Sequence, residues 1–187
     1  MVNVLRLKET ALQTIHSGRG WVQMINPALF SSATDNWETP QDIFDRFNNV
    51  FHFTLDPCAD SKNAKCDLYF TKEDDGLSKD WGGHRVFCNP PYGRKATGDW
   101  VKKCYDESKK PGTIIVALIP ARTDTKWFHE YIFKTTAEVL FIKGRLKFGD
   151  GKTPAPFPSM IVIFGFHWLY LKEDENIEKL NSLKHAS

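Results

Sequence analysis

Residues 113–119 read Thr-Ile-Ile-Val-Ala-Leu-Ile, a continuous apolar run dominated by β-branched side chains. A strand with one wet face alternates apolar and polar residues. A strand apolar on both faces needs cover on both. The run therefore predicts a central strand with helices above and below it. The flanking pattern agrees. Strands are expected at 51–55, 85–88, 138–142 and 160–166, and helices at 41–50, 99–107 and 124–133. Thr39 reads as the N-cap of the first helix and Pro40 as its first residue. Residues 63–70 read as a short helix or strand. Residues 144–159 form a basic loop rich in Gly and Pro, and the tail beyond Leu171 reads as a charged helix. Strands alternating with helices predict an α/β sandwich with a mainly parallel sheet. A chain of 187 residues suits one such domain, expected over 24–187. Residues 1–23 read as a loosely ordered extension, either a basic arm or an over-long gene start before Met24.

In a sheet of this kind ligands bind beyond the carboxyl ends of the strands. Asp56, Asp75, Asn89 and Pro120 each follow or lie near such an end. Asn89-Pro90-Pro91-Tyr92 sits directly behind the run Arg85-Val86-Phe87-Cys88. Two prolines fix the backbone and remove two N–H groups, leaving the local carbonyls without nearby donors. The Asn89 side-chain carbonyl and a backbone carbonyl then form a pair of acceptors. That pair matches the two hydrogens of an exocyclic amino group such as N6 of adenine. Binding both hydrogens favours a tetrahedral nitrogen, whose lone pair can attack a methyl group. Tyr92 offers an aromatic face for a base taken out of its helix. Pro-Pro after a strand also serves as a plain stop, so the tetrapeptide alone leaves a structural turn open.

The formal charge is only +2, from 25 basic and 23 acidic residues, so any surface for nucleic acid must be local. The best candidate is the loop carrying Lys143, Arg145, Lys147 and Lys152, interleaved with Phe148 and leading to Phe157. Such a loop suits a phosphate backbone and displaced bases, and it also reads as an ordinary solvated turn. Arg122, after a strand end, either contacts phosphate or pairs with Asp124. The four cysteines, Cys58, Cys66, Cys88 and Cys104, show no zinc spacing, so reduced thiols and no metal are expected. No run reaches membrane-spanning length and no signal core opens the chain, which predicts a cytoplasmic protein.

The ordered set of motifs resembles a known family. Trp37-x-Thr39-Pro40, Leu55-Asp56-Pro57-Cys58-Ala59, Asp75-Gly76-Leu77 and Asn89-Pro90-Pro91-Tyr92 resemble the amino-methyltransferases that use S-adenosylmethionine. Ile119-Pro120-Ala121-Arg122-Thr123-Asp124, Gly144-Arg145-Leu146-Lys147-Phe148 and Ala155-Pro156-Phe157-Pro158-Ser159 extend the likeness to the phage-type DNA N-6-adenine methyltransferases, over about residues 24–165. Each piece is weak alone; their number, order and spacing carry the likeness. The resemblance implies a Rossmann-like class I methyltransferase sandwich, S-adenosylmethionine as cofactor, and double-stranded DNA as partner. It implies a phage or prophage enzyme, with a monomer or weak homodimer expected.

The resemblance also assigns residues. Asn89, Pro90, Pro91 and Tyr92 would be catalytic. Trp37, Thr39, Pro40, Asp56, Pro57, Cys58 and Asp75 would hold the cofactor, with Asp56 and Pro57 beside its amino-acid part and Asp75 beside its adenine amino group. Arg122, Arg145, Lys147, Phe148 and Phe157 would meet the DNA, and recognition would come from loops at 94–98 and 144–158. One departure stands out: relatives carry glycines after Asp-Pro so that backbone can approach the cofactor, whereas Ala59-Asp60-Ser61 follows here. Adenine in RNA, a protein amide, and a DNA-binding protein with a degenerate pocket remain open as alternatives.

Overall fold

The computed structural model describes residues 37–93, 95–149 and 151–165. These residues all belong to the compact unit Asp35–Ser187. The expected extension at 1–23, the tail helix beyond Leu171, and Arg94 of the expected 94–98 loop lie outside the described residues.

The elements run α1 (Gln41–Phe51), β1 (Arg85–Cys88), α2 (Ala96–Glu107), β2 (Ile114–Pro120), α3 (Lys126–Phe128), β3 (Glu138–Phe141) and β4 (Ser159–Phe164). A π-helical turn, His129–Phe133, continues α3. In α1, Ile43, Phe44, Phe47 and Phe51 are buried, a stripe at helical spacing. The helix stops at His52, whose left-handed backbone (φ 50°) returns its N–H to Asn48 O at 2.8 Å. Its start differs from expectation. Pro40 is the cap residue and no side chain caps the helix. The Thr39 hydroxyl instead meets the Asn89 side chain.

The expected mainly parallel Rossmann-like sheet is corrected. Among the described residues, four strands form an open sheet in the order β1-β2-β4-β3. β1 pairs with β2 in parallel, but β4 pairs antiparallel with both β2 and β3. Two of the three strand pairings are thus antiparallel. The physical reason lies in the connection before β4. A parallel neighbour requires a long crossover, usually a helix. The described residues between β3 and β4 contain no helix, so β4 enters between β2 and β3 running backwards. The strand expected at 51–55 also shrinks. Phe51 stays in α1, and only Leu55 and Asp56 make isolated parallel bridges, with Val86 and Tyr69.

Strand alternation divides the core between two faces. Val86, Cys88, Ile115, Ala117, Ile119, Met160, Val162 and Phe164 pack with Trp100, Val101 and Cys104 of α2 and with Phe128 and Ile132. Phe87, Val116, Leu118, Ile161 and Ile163 pack with the buried stripe of α1. Phe44 meets Phe87 edge-on at 5.1 Å, pinning α1 to β1. With β1 clamped on both faces, the segment leaving it at Asn89 starts from a rigid base.

Candidate active site

Asn89 emerges from β1 half-buried, and its side-chain amide is held from two sides. Nδ2 donates to the Trp37 carbonyl and to Thr39 Oγ1, the latter at 2.9 Å. The Tyr92 hydroxyl lies 2.7 Å from Asn89 Oδ1 and 3.0 Å from the Leu118 carbonyl. The Trp37 carbonyl can only accept, so it settles which end of the amide is nitrogen. Both amide hydrogens are spent. Oδ1 has two acceptor sites, and the single Tyr92 proton fills at most one of them. An acceptor therefore remains on Asn89. Among the described residues, no hydrogen bond reaches the Pro90 carbonyl next to it.

Tyr92 is placed otherwise than expected. Its ring is only 4% exposed. It packs edge-on to Phe157 at 5.4 Å and Phe148 at 6.0 Å, and both of those rings meet Trp37 edge-on. Burial pushes its hydroxyl well above the ordinary tyrosine range, so it stays a proton donor. Tyr92 is thus a buried prop for Asn89 rather than an open stacking face.

Beside Asn89 lies a cavity of about 750 Å³. Trp37, Thr39, Asp56, Pro57, Cys58, Asp75, Asn89, Pro90 and Pro91 all line it; Pro40, Tyr92 and Pro120 do not. The structure therefore gathers most of the expected cofactor and catalytic residues around one space. Arg122, Arg145, Lys147, Phe148 and Phe157 are outside its wall. Phe148 and Phe157 still tie their loop to the site through Trp37 and Tyr92, and Gly149 N–H bonds the Glu38 carbonyl at 3.0 Å. Arg145 and Lys147 are exposed on that loop, and half-buried Arg122 sits in the turn after β2.

Asp56 is the chemically unusual group of the wall. It is 5% exposed. Burial raises its carboxyl to about 6, against hydrogen bonds from the Lys65 and Cys58 N–H groups and the Lys65 charge, which pull it down. Asp75 is exposed and holds a left-handed backbone, φ 54°, rare for a residue with a side chain. Cys58 and Cys88 stand 3.9 Å apart as free thiols, and burial pushes both up, leaving them protonated.

Sequence reasoning missed Gly76, a glycine that close packing in the cavity wall requires. A Cβ on Gly76 would fall 2.0 Å from the Pro57 carbonyl oxygen and 3.2 Å from the Trp100 indole. Gly76 therefore lets a second loop press directly against the Asp56-Pro57 turn. Its carbonyl accepts Trp81 Nε1 at 3.0 Å, and the Trp81 N–H is held by Glu107 Oε2 at 2.8 Å. Lys103 and Lys110 close on the same Glu107 carboxylate. Burial pushes that carboxyl up, but these three hydrogen bonds outweigh it and hold it below its ordinary value. Helix α2 thereby braces the cavity wall. The only signal in the sequence was the Asp-Gly pair at 75–76, which reads equally as a plain turn.

The DNA N-6-adenine-methyltransferase (Dam) family matches residues 27–165. The chain is 29% identical over 142 residues to the DNA N-6-adenine-methyltransferase of Haemophilus phage HP1 (strain HP1c1), covering 71% of this chain and 80% of that one. It is 30% identical over 114 residues to the DNA N-6-adenine-methyltransferase of Escherichia phage T1, covering 60% of this chain and 46% of that one. The family match takes in the Trp37–Thr39 segment, Asn89 and the basic loop whose Phe148 and Phe157 pack on Trp37, and the chain belongs to the DNA N-6-adenine-methyltransferase family, enzymes that methylate the N6 amino group of adenine in DNA.

Proposed function

We propose that the cavity beside Asn89 holds S-adenosylmethionine, and that Asn89 Oδ1 and the Pro90 carbonyl receive the amino group of an adenine turned out of double-stranded DNA. The observation that carries this reading is the hydrogen-bond count at Asn89. Both amide hydrogens are committed to the protein, while an acceptor stays open on a residue that lines the cavity.

The wall fits the cofactor by its chemistry. Asp56 is a buried carboxylate suited to an ammonium group, and the close packing of Gly76 on the Pro57 carbonyl holds two loops of the wall together. The volume lies within the usual range for a small-molecule site, about 300–1,000 Å³. When bound, S-adenosylmethionine supplies an electrophilic methyl group. Asp56, Pro57 and Cys58 hold the amino-acid end, with Trp37 and Thr39 on the side of Asn89 and Asp75 at the far loop.

Asn89 and Pro90 would hold the two N6 hydrogens so that the nitrogen becomes more tetrahedral and its lone pair is drawn out of conjugation with the ring, free to attack the methyl group that the cofactor would supply. The methyl group would pass directly to N6, its bond to the cofactor sulfur breaking as the bond to nitrogen forms and the thioether departing, with no covalent bond to the protein. The product amino group is acidic enough to lose its proton to water, so no strong base is required. Catalysis rests on positioning and on fixed dipoles. The half-buried rings of Trp37 and Phe157, rather than Tyr92, are the aromatics with surface left for the extruded base. Arg145 and Lys147 meet the phosphates.

The test is the product. Purified protein is incubated with unmethylated duplex DNA and S-adenosylmethionine, and the digested nucleosides are read by mass spectrometry. The expected result is N6-methyladenine, absent with Asn89→Ala. N4-methylcytosine in its place, or an undiminished product from Asn89→Ala, would overturn the reading.

A further inference from the structure

We propose that Thr39 is a positioning residue for Asn89, and that its hydroxyl and the Trp37 carbonyl form a seat that accepts an amide and rejects a carboxylate. The proposal rests on Asn89 being the acceptor of the adenine amino group, as above. The resemblance to known methyltransferases would place Thr39 against the cofactor alone. The geometry gives its oxygen a different partner.

Thr39 is buried, and its Oγ1 lies 2.9 Å from Asn89 Nδ2. The second Nδ2 hydrogen goes to the Trp37 carbonyl. An amide is planar, so gripping both hydrogens on nitrogen fixes the direction of Oδ1 as well. The Tyr92 hydroxyl, itself anchored near the Leu118 carbonyl, bears on Oδ1 from the other side. Three groups from two segments, 37–39 and Tyr92, thus determine where the remaining acceptor points. Rotation of Asn89 about its last bond would aim the NH2 group at the substrate amino group, donor against donor. The seat prevents this.

The same contacts discriminate between Asn and Asp, which have nearly the same shape. A carboxylate at position 89 would set an oxygen against the Trp37 carbonyl, acceptor against acceptor, with no hydrogen between them. A protonated carboxyl would restore a single donor. The seat therefore makes a distinctive link between pH and activity for the Asn89→Asp variant, one that a general packing defect would lack.

The experiment compares the wild type with Thr39→Val, Thr39→Ser, Asn89→Asp and Asn89→Ala, measuring kcat and KM for S-adenosylmethionine on unmethylated duplex DNA from pH 6 to pH 9. Thr39→Val should lower kcat by about tenfold, the worth of one buried hydrogen bond, with the cofactor KM changed less than about twofold. Thr39→Ser should recover most of the loss. Asn89→Asp should be as inactive as Asn89→Ala at high pH, and its rate relative to wild type should rise as pH falls. If Thr39→Val raises only the cofactor KM, the hydroxyl serves the cofactor and the proposal fails. If Asn89→Asp matches wild type at pH 9, the seat does not require an amide and the proposal fails. Should Thr39→Val not fold, the pH dependence of Asn89→Asp decides alone. An active Asn89→Ala would instead remove the assignment of Asn89 itself, which is a separate failure.

Discussion

The seat of Asn89 and the basic loop that follows β3 are built on opposite principles. At the seat, the Trp37 carbonyl, Thr39 Oγ1 and the Tyr92 hydroxyl converge on the Asn89 side chain, and the Leu118 carbonyl anchors Tyr92 in turn. On the loop, Lys143, Arg145 and Lys147 are exposed, and among the described residues none of the three makes an ion pair. The two are joined by aromatic rings, with Phe148 and Phe157 of the loop packed on Trp37 and Tyr92 of the seat. The difference teaches where precision is needed. Methyl transfer requires an acceptor fixed to a fraction of an ångström. Holding a phosphate backbone requires charge at the right distance, and mobile side chains in water suffice for that.

That contrast can be broken at the cavity wall. Gly76→Ala would drive a methyl group into the Pro57 carbonyl, 2.0 Å away, and the neighbour is backbone that cannot swing aside. The expected outcome is a loss of about 1–3 kcal/mol of stability in chemical denaturation, the usual cost of overpacking. Cofactor affinity measured by calorimetry should fall with it. An unchanged midpoint and affinity would show that the two loops are free to part.

The contrast is sharpened next by pH. The Asp56 carboxyl is raised to about 6, first by burial. An acid raised in this way is protonated below that pH and charged above it. A cationic ammonium beside it favours the charged form, so binding pulls the proton off. S-adenosylmethionine affinity should therefore be constant above pH 6 and fall below it, approaching tenfold per pH unit. Calorimetric titrations at pH 5, 6 and 7.5 check the sign. Affinity that rises on acidification would place Asp56 away from the ammonium.

The smallest effects belong to the loop. Arg145→Ala and Lys147→Ala should each weaken DNA binding a few-fold. Each should reduce the slope of log affinity against log salt by about 0.9, the value for one lost phosphate contact. The rate at saturating DNA should not change. A loss of kcat without a change in salt dependence would move the loop into the chemistry.

Much of this was legible in the sequence, but only where the cause is local. The continuous apolar run at 113–119 and the helix expected at 41–50 are each set within one segment, and the observed elements follow them closely. Asn89-Pro90-Pro91 was legible because two prolines restrict their own backbone whatever surrounds them. The direction of β4 was not. It depends on which strands it lies between, and helix–strand alternation says nothing of a strand that returns without a helix. Tyr92 was misjudged for a similar reason. A tyrosine after a turn reads as exposed until Trp37, Phe148 and Phe157, distant in sequence, close over it. Gly76 escaped because its partner is a carbonyl in another loop.

The most direct test is the single-turnover rate of methyl transfer for wild type and Asn89→Ala on the same duplex, with the dissociation constants of cofactor and DNA measured alongside. If Asn89 supplies the fixed acceptor, the rate should drop by about 10²–10³ while both affinities stay within about threefold. A rate that is preserved, or a defect that lies wholly in the two affinities, would contradict it.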